Sequence, residues 1–469
     1  MARLSAGQTR SRLLNKSFKK TVFSNGLTLL TERLEQFQSL SIGVWVKIGT
    51  RHETPQVAGV SHFLEHMLFK GTRKRTALDI ARQVDQVGGE FNAFTSREHT
   101  CFHLLLLDRD FGLGLDILSD ILMNSTFKKD EFERERRVIL QEVSMVEESP
   151  EELAHDLFFE LIYPHHGLGR PILGTEASVK KMKREDMLQF FFNHYSPDQL
   201  VISAAGDISH EALKKKLKVL DRPIWPGRSG NRSVREGGQG FGRSLERGIL
   251  EGLPPTLTYS EDGGVWWVER DTEQVHLIWG VPGPHYGSKD RFAAFLLNVY
   301  LGGGMSSTLF QEIREKNGLA YTVYSSLSPF VDSGVFSIYA ATGMEQVPLC
   351  LRLIERCVKE IKNKPLPKKE LNLIKENLKG TILLSSDSVE ARMASIAKNH
   401  IFLGKYVSIE EVCRQIDEVT PEDLSRVANQ LFREDRRSVL ALGPKASPAV
   451  ASKLKISVPK KFIRKPGKK

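Results

Sequence analysis

The two halves of the chain repeat one order of predicted elements, and this repeat constrains the fold more than any other feature. The first half has predicted strands at 20–32 and 39–47, helices at 58–70 and 76–87, paired strands at 90–95 and 99–107, further helices to about 194, and a strand at 200–205. The second half has a predicted strand at 275–280, helices at 291–301 and 306–316, paired strands at 320–327 and 334–341, several helices, and a strand at 438–442. Two matching halves of about 200 residues predict an internal duplication, and the mixture of elements predicts an α+β fold with an antiparallel sheet and packed helices in each half.

Local composition predicts where the two domains end. Residues 222–264 are rich in Gly, Arg, Ser and Pro and have little periodicity, which predicts a long linker with a disordered middle. The predicted domains are therefore 20–221 and 265–445. The flanking segments 1–19 and 446–469 are predicted to be basic, flexible tails.

The basic character of the chain lies in its two ends. Residues 1–20 contribute +6 and residues 449–469 contribute +8, which leaves −4 for residues 21–448 out of the total of +10. The net negative charge of residues 21–448 argues against nucleic-acid binding, so we expect no nucleic-acid partner. Solvated ends are the favoured interpretation, and contact with anionic surfaces is the alternative. The acid-free start is also typical of a mitochondrial transit peptide, which keeps a mitochondrial location open.

The remaining composition is that of a globular protein without membrane segments. Hydrophobic residues make up 40% of the chain and charged residues 26%. No apolar run is long enough to cross a bilayer, and no signal peptide begins the chain, so we expect no transmembrane segment. The four cysteines are scattered and form no C-x-x-C pair, which predicts free, mostly buried thiols in a reducing compartment.

The segment 62–66 (HFLEH) places two imidazoles four residues apart with a carboxylate between them. In a helix, His62 and His66 lie one turn apart on the same face, and Glu65 lies beside them. Such a pair can hold a zinc ion, with Glu65 next to the activated water as general base. The alternative is that Glu65 is a zinc ligand or a surface acid, but one helix rarely points three adjacent side chains at one ion. The order is the reverse of the H-E-x-x-H motif of zinc proteases.

A catalytic zinc ion needs a third protein ligand, which the motif does not supply. A later predicted helix at 130–147 is crowded with glutamates. The candidates on or near this helix are Glu131, Glu133, Glu135, Glu142, Glu147 and Glu148. Composition alone does not choose among them, since most runs of glutamate form a solvated face.

Five runs of sequence resemble the pitrilysin-type zinc metallopeptidases, the inverzincins or M16-like family. They are 59–72 (GVSHFLEHMLFKGT), 89–95 (GEFNAFT), 135–142 (ERRVILQE), 302–310 (GGGMSSTLF) and 314–321 (REKNGLAY). The chain is most similar to short forms related to the mitochondrial processing peptidase β subunit and its bacterial homologues. The resemblance covers about residues 20–445 apart from the linker, and it implies two related α+β domains that face each other like a clamshell around a central cavity.

The resemblance also implies roles for individual residues. The family's third zinc ligand matches Glu142, and Glu135 matches an acid that orients a ligand imidazole. Asn92 and Ala93 match an edge strand that pairs with the substrate backbone. Arg314 and Tyr321, in a half that has no H-x-x-E-H motif, match a pair that polarises the scissile carbonyl.

These observations together predict an enzyme. We expect a zinc-dependent endopeptidase with one Zn²⁺ per chain, acting on peptides or unfolded segments in extended form. A non-catalytic peptide-binding or complex-assembly subunit of the same fold is the alternative, and a processing subunit that needs a different partner chain is a third. One metal-binding half and one metal-free half favour a homodimer. The motifs of the second half are more similar to those of bacterial members of the family than to those of mitochondrial members. This predicts a bacterial cytoplasmic protein, with the mitochondrial matrix as the alternative.

Overall fold

The computed structural model describes residues 17–220 and 264–457. The predicted linker lies outside the described residues except at its last position. The described chain forms two compact units, which do not coincide with the two halves of the sequence. Unit 1 contains the described residues up to Val143, those from Arg170 to the gap, and Leu383–Glu410. Unit 2 contains Ser144–Gly169, the described residues from the gap to Ile382, and those from Glu411.

Unit 1 is built on a six-stranded sheet. Its strands are β1 (Phe18–Val22), β2 (Thr28–Arg33), β3 (Ser39–Val46), β4 (Glu90–Thr95), β5 (Thr100–Leu107) and β6 (Leu200–Gly206). The strand order is β1-β2-β6-β3-β5-β4, so β4 lies at one edge. All neighbours are antiparallel except β2 and β6, which run parallel.

Unit 2 repeats this arrangement. Its strands are β7 (Val265–Glu269), β8 (Val275–Pro282), β9 (Ala320–Pro329), β10 (Gly334–Thr342), β11 (Ser438–Gly443) and β12 (Ile456–Ser457). The order is β12-β7-β11-β8-β10-β9, in which β7, β11, β8, β10 and β9 correspond to β2, β6, β3, β5 and β4. The repeated order bears out the predicted duplication and the α+β class. The sheets are mixed rather than wholly antiparallel, because β11 and β12 both run parallel to β7.

Helices cover the sheets. Those before the gap are α1 (Val60–Leu68), α2 (Ala77–Asp85), α3 (Phe111–Asn124), α4 (Lys129–Glu148), α5 (Pro150–Ile162), α6 (Glu176–Lys181), α7 (Arg184–His194) and α8 (His210–Leu217). Those after it are α9 (Arg291–Gly302), α10 (Val347–Asn363), α11 (Lys368–Ser385), α12 (Val389–Leu403), α13 (Ile409–Asp417), α14 (Pro421–Leu431) and α15 (Pro448–Lys453). No helix in these described ranges is long and apolar enough to cross a membrane.

The two sequence halves exchange a helix. Helix α5 comes from the first half, but its apolar side packs on β8 and β11 of unit 2. Helix α12 comes from the second half and packs on β2, β3 and β6 of unit 1. Glycines permit both contacts: a Cβ at Gly43 would lie 2.5 Å from Met393 Sδ, and a Cβ at Gly280 would lie 2.4 Å from the Phe158 ring. Two contiguous domains were predicted from the sequence, because local composition carries no signal for the exchange of these helices.

A buried ion pair fixes α12 on unit 1. Arg392 Nε donates to Glu32 Oε2 at 2.9 Å, and a second guanidinium nitrogen donates to Oε1. Tyr406 also donates to Oε1 at 3.0 Å. Because Glu32 is wholly buried, loss of one partner would leave an uncompensated charge in the core.

Three local features refine the predictions. The helix predicted over 306–316 is in large part a π-helix, Phe310–Glu315. The segment from 446, predicted to be flexible, forms α15 and β12 up to residue 457, since Ser447 caps α15 and Val450 is buried. The four cysteines are free, as predicted, and three of them are buried.

Candidate metal centre

Helix α1 presents the two histidines from within the core of unit 1. Its apolar side chains Phe63, Leu64 and Met67 are fully buried, while His62 and His66 are only partly covered. Helical periodicity therefore gives α1 one apolar face that packs in the core and one polar face that carries both histidines, one turn apart. The rings of His62 and His66 lie edge to face, with centroids 4.6 Å apart.

A buried carboxylate caps the start of α1. Glu53 accepts backbone hydrogen bonds from Gly59 at 2.7 Å and from Ser61 at 2.8 Å. These bonds satisfy two N–H groups that the helix leaves without partners, and the carboxylate complements the helix dipole. Burial raises the pKa of Glu53 to about 7 in spite of these hydrogen bonds. Gly59 has φ +92°, a left-handed conformation that favours glycine.

Helix α4 brings its glutamates to α1 along one stripe. Phe132, Glu135, Ile139 and Val143 are its buried residues, and Glu142 continues the same face at helical spacing. Phe132 stacks on Phe63 of α1, with ring centroids 4.4 Å apart and an interplanar angle of 19°. This packing places the stripe against the histidines.

Two other glutamates of α4 have partners on their own helix. Glu133 pairs with Arg136 at 3.0 Å and Glu131 with Arg134 at 2.7 Å. Neither belongs to the group of three side chains, His62, His66 and Glu142, that could hold a metal ion.

Three side chains converge at one point. His62, His66 and Glu142 each offer a ligand atom, and these atoms all lie within 4.8 Å of one another. His62 Nε2 is 2.8 Å from Glu142 Oε2, and His66 Nε2 is 3.6 Å from Glu142 Oε1. Ligand atoms around a tetrahedral zinc ion are about 3.3 Å apart, so two imidazoles and a carboxylate at these distances fit zinc. Among the described residues, no other group of three or more such side chains meets this criterion.

Glu135 holds the far side of the His66 ring. Its Oε2 lies 3.1 Å from His66 Nδ1, and its Oε1 lies 2.8 Å from the ammonium of Lys70. Burial raises the pKa of Glu135, but the hydrogen bonds from His66 and Lys70 outweigh this effect and hold the pKa below its usual value. An ionised Glu135 keeps the proton of His66 on Nδ1, which leaves Nε2 facing Glu142 as a ligand atom.

Three carboxylates, those of Glu65, Glu135 and Glu142, lie against the two imidazoles. Burial lowers the pKa of His62, but contacts with Glu142 and Glu65 outweigh burial and raise it to about 9. The hydrogen bond to His62 in turn lowers the pKa of Glu142. Carboxylates that stabilise a proton on His62 would equally stabilise a cation between these groups.

Glu65 lies beside the three-residue cluster. Its Oε2 is 3.6 Å from His62 Nδ1, which is a charge contact rather than a hydrogen bond. The hydroxyl of Thr95, on β4, donates to the same oxygen at 2.5 Å. The carboxylate therefore faces β4, the edge strand of the sheet.

Known proteins are similar to this chain over most of its length. The model for insulinase (peptidase family M16) matches residues 28–176, and the model for the peptidase M16 inactive domain matches residues 181–378. The chain is 37% identical over 417 residues to "Uncharacterized zinc protease YmxG" of Bacillus subtilis (strain 168), covering 89% of this chain and 96% of the relative. It is 37% identical over 430 residues to "Uncharacterized zinc protease ML0855" of Mycobacterium leprae (strain TN), covering 91% and 92%.

The chain belongs to peptidase family M16. A solved structure with the same fold is that of "a protease from Helicobacter pylori", with a TM-score of 0.79 at 22% identity, covering 91% of this chain and 99% of that one. The predicted resemblance to pitrilysin-type peptidases is thereby confirmed. The first M16 match spans the three-residue cluster and also its neighbours Glu65, Thr95 and Glu135.

The strand predicted to hold substrate, β4, is an edge strand of its sheet among the described strands. Asn92 and Ala93 lie at the centre of β4, opposite His103 and Phe102 of β5. The Asn92 side chain accepts a hydrogen bond from the Ala93 backbone N–H at 2.8 Å. An edge strand offers N–H and C=O groups to an added strand, and this side chain occupies one of them.

Arg314 and Tyr321 lie in the region that matches the M16 inactive domain, both in unit 2. Arg314 is in the π-helix, and its guanidinium lies 4.3 Å from the centroid of the Tyr321 ring. It also donates to the Tyr321 backbone carbonyl at 3.2 Å. The Tyr321 side chain is 76% exposed, and π-helical turns occur frequently at functional sites.

Sequence reasoning missed three residues around the centre. Lys70 follows His66 by four residues, so the helix predicted over 58–70 could have identified it as a neighbour of His66, although the observed α1 ends at Leu68. The contacts of Glu53 and Thr95 had no such signal. Glu53 caps its helix from outside it, and Thr95 is 30 residues from Glu65 in the sequence.

Proposed function

We propose that this chain is a zinc-dependent endopeptidase of the H-x-x-E-H type that hydrolyses peptides or unfolded polypeptide segments. The observation that carries the proposal is the convergence of His62, His66 and Glu142, with Glu65 on the same face of α1. These three residues would hold one zinc ion per chain. When bound, zinc supplies Lewis-acid chemistry, because it acidifies a water molecule and polarises a carbonyl group.

Residues around the metal are proposed to transfer protons, orient an imidazole ligand and bind the oxyanion. Glu65 accepts the proton of the attacking water and returns it to the leaving amine, as a general base and then a general acid. Glu135 orients the His66 ring through Nδ1. We assign Arg314 and Tyr321 as donors to the developing oxyanion, an assignment that rests on the family resemblance and on their exposed, paired side chains.

We further propose that the substrate binds in extended form. The outer edge of β4, which no other described strand covers, would supply backbone donors and acceptors for an added strand. Backbone pairing of this kind recognises a peptide irrespective of its side chains. Asn92 would release the Ala93 N–H and bond the substrate instead. Such recognition suits unfolded segments, since a folded protein does not offer a free backbone.

Two further proposals concern assembly and location. A chain with one metal-binding half and one metal-free half is proposed to act as a homodimer, which light scattering of the purified protein tests. The bacterial relatives support a cytoplasmic location. The predicted clamshell around a cavity stays a prediction.

The deciding experiment is cleavage of an internally quenched peptide library by the purified full chain. Zinc content is measured in parallel, and activity is measured after chelation and after zinc is restored. Zinc-dependent cleavage at internal bonds supports the proposal. A zinc-loaded protein that binds peptides but leaves every one intact would instead indicate the non-catalytic binding subunit.

A further inference from the structure

The contact between Thr95 and Glu65 joins the edge strand to the helix of the metal centre. The Thr95 hydroxyl donates to Glu65 Oε2 at 2.5 Å, a length typical of a hydrogen bond to a carboxylate. The Glu65 side chain is only 12% exposed, so water competes little for this bond. Thr95 is the last residue of β4, and its side chain points to the same face of the strand as Ala93, towards α1.

The contact leaves the two oxygens of Glu65 with different surroundings. Oε2 meets the Thr95 hydroxyl and lies 3.6 Å from His62 Nδ1. Within the described ranges, no hydrogen bond reaches Oε1. A carboxylate held by one oxygen cannot rotate freely, so its other oxygen keeps a defined direction.

The end of the β4–β5 hairpin is itself braced. Ser96 N donates to His99 O at 2.8 Å across the turn, and Arg51 N donates to the Arg97 carbonyl at 2.8 Å. At Gly49 the approach is so close that a Cβ would lie 2.3 Å from the Ser96 carbonyl oxygen. The strand therefore presents the Thr95 hydroxyl from a fixed position.

We propose that Thr95 is a positioning residue for the general base. It holds Oε2 of Glu65, so that Oε1 is the atom that takes the proton from the attacking water. Thr95 is also the last residue of β4, the strand that is proposed to pair with the substrate. It therefore links the orientation of the Glu65 carboxylate to the strand that binds the substrate. This inference rests on the proposed peptidase function.

The test compares three variants with the wild-type zinc-loaded chain on one internally quenched peptide. Thr95→Val keeps the shape and removes the hydroxyl, and Thr95→Ser restores a donor. Thr100→Val is the matched control, since Thr100 lies opposite Thr95 and its hydroxyl donates to the Ile48 carbonyl instead. Thr95→Val is expected to lower kcat about 10- to 100-fold with KM within twofold, because a hydrogen bond to a charged group is lost.

The other variants separate positioning from folding. Thr95→Ser should recover kcat to within about threefold of wild type, and Thr100→Val should keep kcat while lowering Tm. Zinc content should be the same in all four proteins. Crystal structures provide a readout independent of activity: the Glu65 carboxylate should turn away from its wild-type orientation in Thr95→Val and keep it in Thr95→Ser.

The outcomes also distinguish this inference from the proposed function. If the wild type cleaves and Thr95→Val cleaves at the same rate with Glu65 unmoved, Thr95 has no positioning role and the peptidase stands. An equal loss of kcat in Thr100→Val would assign the effect to hairpin packing and overturn the inference. If the zinc-loaded wild type cleaves no peptide, the proposed function fails. An unmoved Glu65 carboxylate in Thr95→Val then overturns the inference independently.

Discussion

His62 Nε2 lies 2.8 Å from Glu142 Oε2, although 80 residues separate the two in the sequence. The contact joins α1 to α4 and completes the set of three ligand atoms with His66. Glu142→Gln keeps the size of the side chain but removes the charge that attracts a cation. We therefore expect this variant to retain much less zinc than wild type after dialysis against a mild chelator. Glu133→Gln is the control, since Glu133 pairs with Arg136; equal zinc in both variants would exclude Glu142 as a ligand.

The role proposed for Glu65 as general base can be tested separately from the proposed zinc ligands. Glu65→Gln removes the proton acceptor while His62, His66 and Glu142 stay in place. We expect zinc content equal to wild type and a rate of peptide cleavage lower by about 10²–10⁴-fold. Metal analysis and kcat/KM are measured on the same preparation. A zinc-free Glu65→Gln protein would indicate that Glu65 is itself a ligand.

Glu135 is proposed to act on the metal through His66, whose Nδ1 lies 3.1 Å from Glu135 Oε2. Glu135→Gln removes the charge that orients the ring, and we expect zinc affinity to fall by about 10- to 100-fold in a chelator competition assay. Glu131→Gln, which changes an acid paired with Arg134 on the same helix, should leave affinity unchanged. The assignment is wrong if the two variants bind zinc equally well.

The role of the metal-free half is tested at Tyr321. Tyr321→Phe removes one hydroxyl from an exposed side chain, so zinc content and Tm should stay at wild-type values. Loss of one oxyanion donor is expected to lower kcat by about 10²–10³-fold, and Arg314→Ala should have an effect of similar size. Tyr300→Phe serves as the control, because it removes a hydroxyl of the same half that bonds the Thr308 side chain instead. Cleavage within about threefold of wild type by both Tyr321→Phe and Arg314→Ala would show that neither side chain takes part.

The cap on α1 makes a prediction about stability. Glu53→Ala leaves the Gly59 and Ser61 N–H groups without their acceptor inside the core. We expect the free energy of unfolding of the metal-free protein to fall by about 2–4 kcal/mol, measured by denaturant titration. Glu35→Ala, at a side chain that is 72% exposed, should change it by less than about 0.5 kcal/mol. A Glu53 variant as stable as the Glu35 variant would contradict the capping role.

Much of the fold follows from the sequence, because its signals are local. Strand alternation and helical periodicity predicted most elements within a few residues, including α1, β4 and β5. The repeated order of elements predicted the duplication that the two sheets display. The exchange of α5 and α12 was not predicted, since both helices have ordinary apolar faces and nothing in them specifies which sheet they cover.

The candidate site, like the fold, was predicted from the sequence only in part. The sequence alone determined the pairing of His62 with His66 and the place of Glu65, because one turn of helix sets their spacing. It left the third ligand open among several glutamates, and Glu142 was chosen by resemblance. Only the tertiary structure placed Glu142 near both histidines, Lys70 on Glu135 and the Thr95 hydroxyl on Glu65. These contacts join separate elements, and their distances depend on how α1, α4 and β4 pack, which no local periodicity encodes.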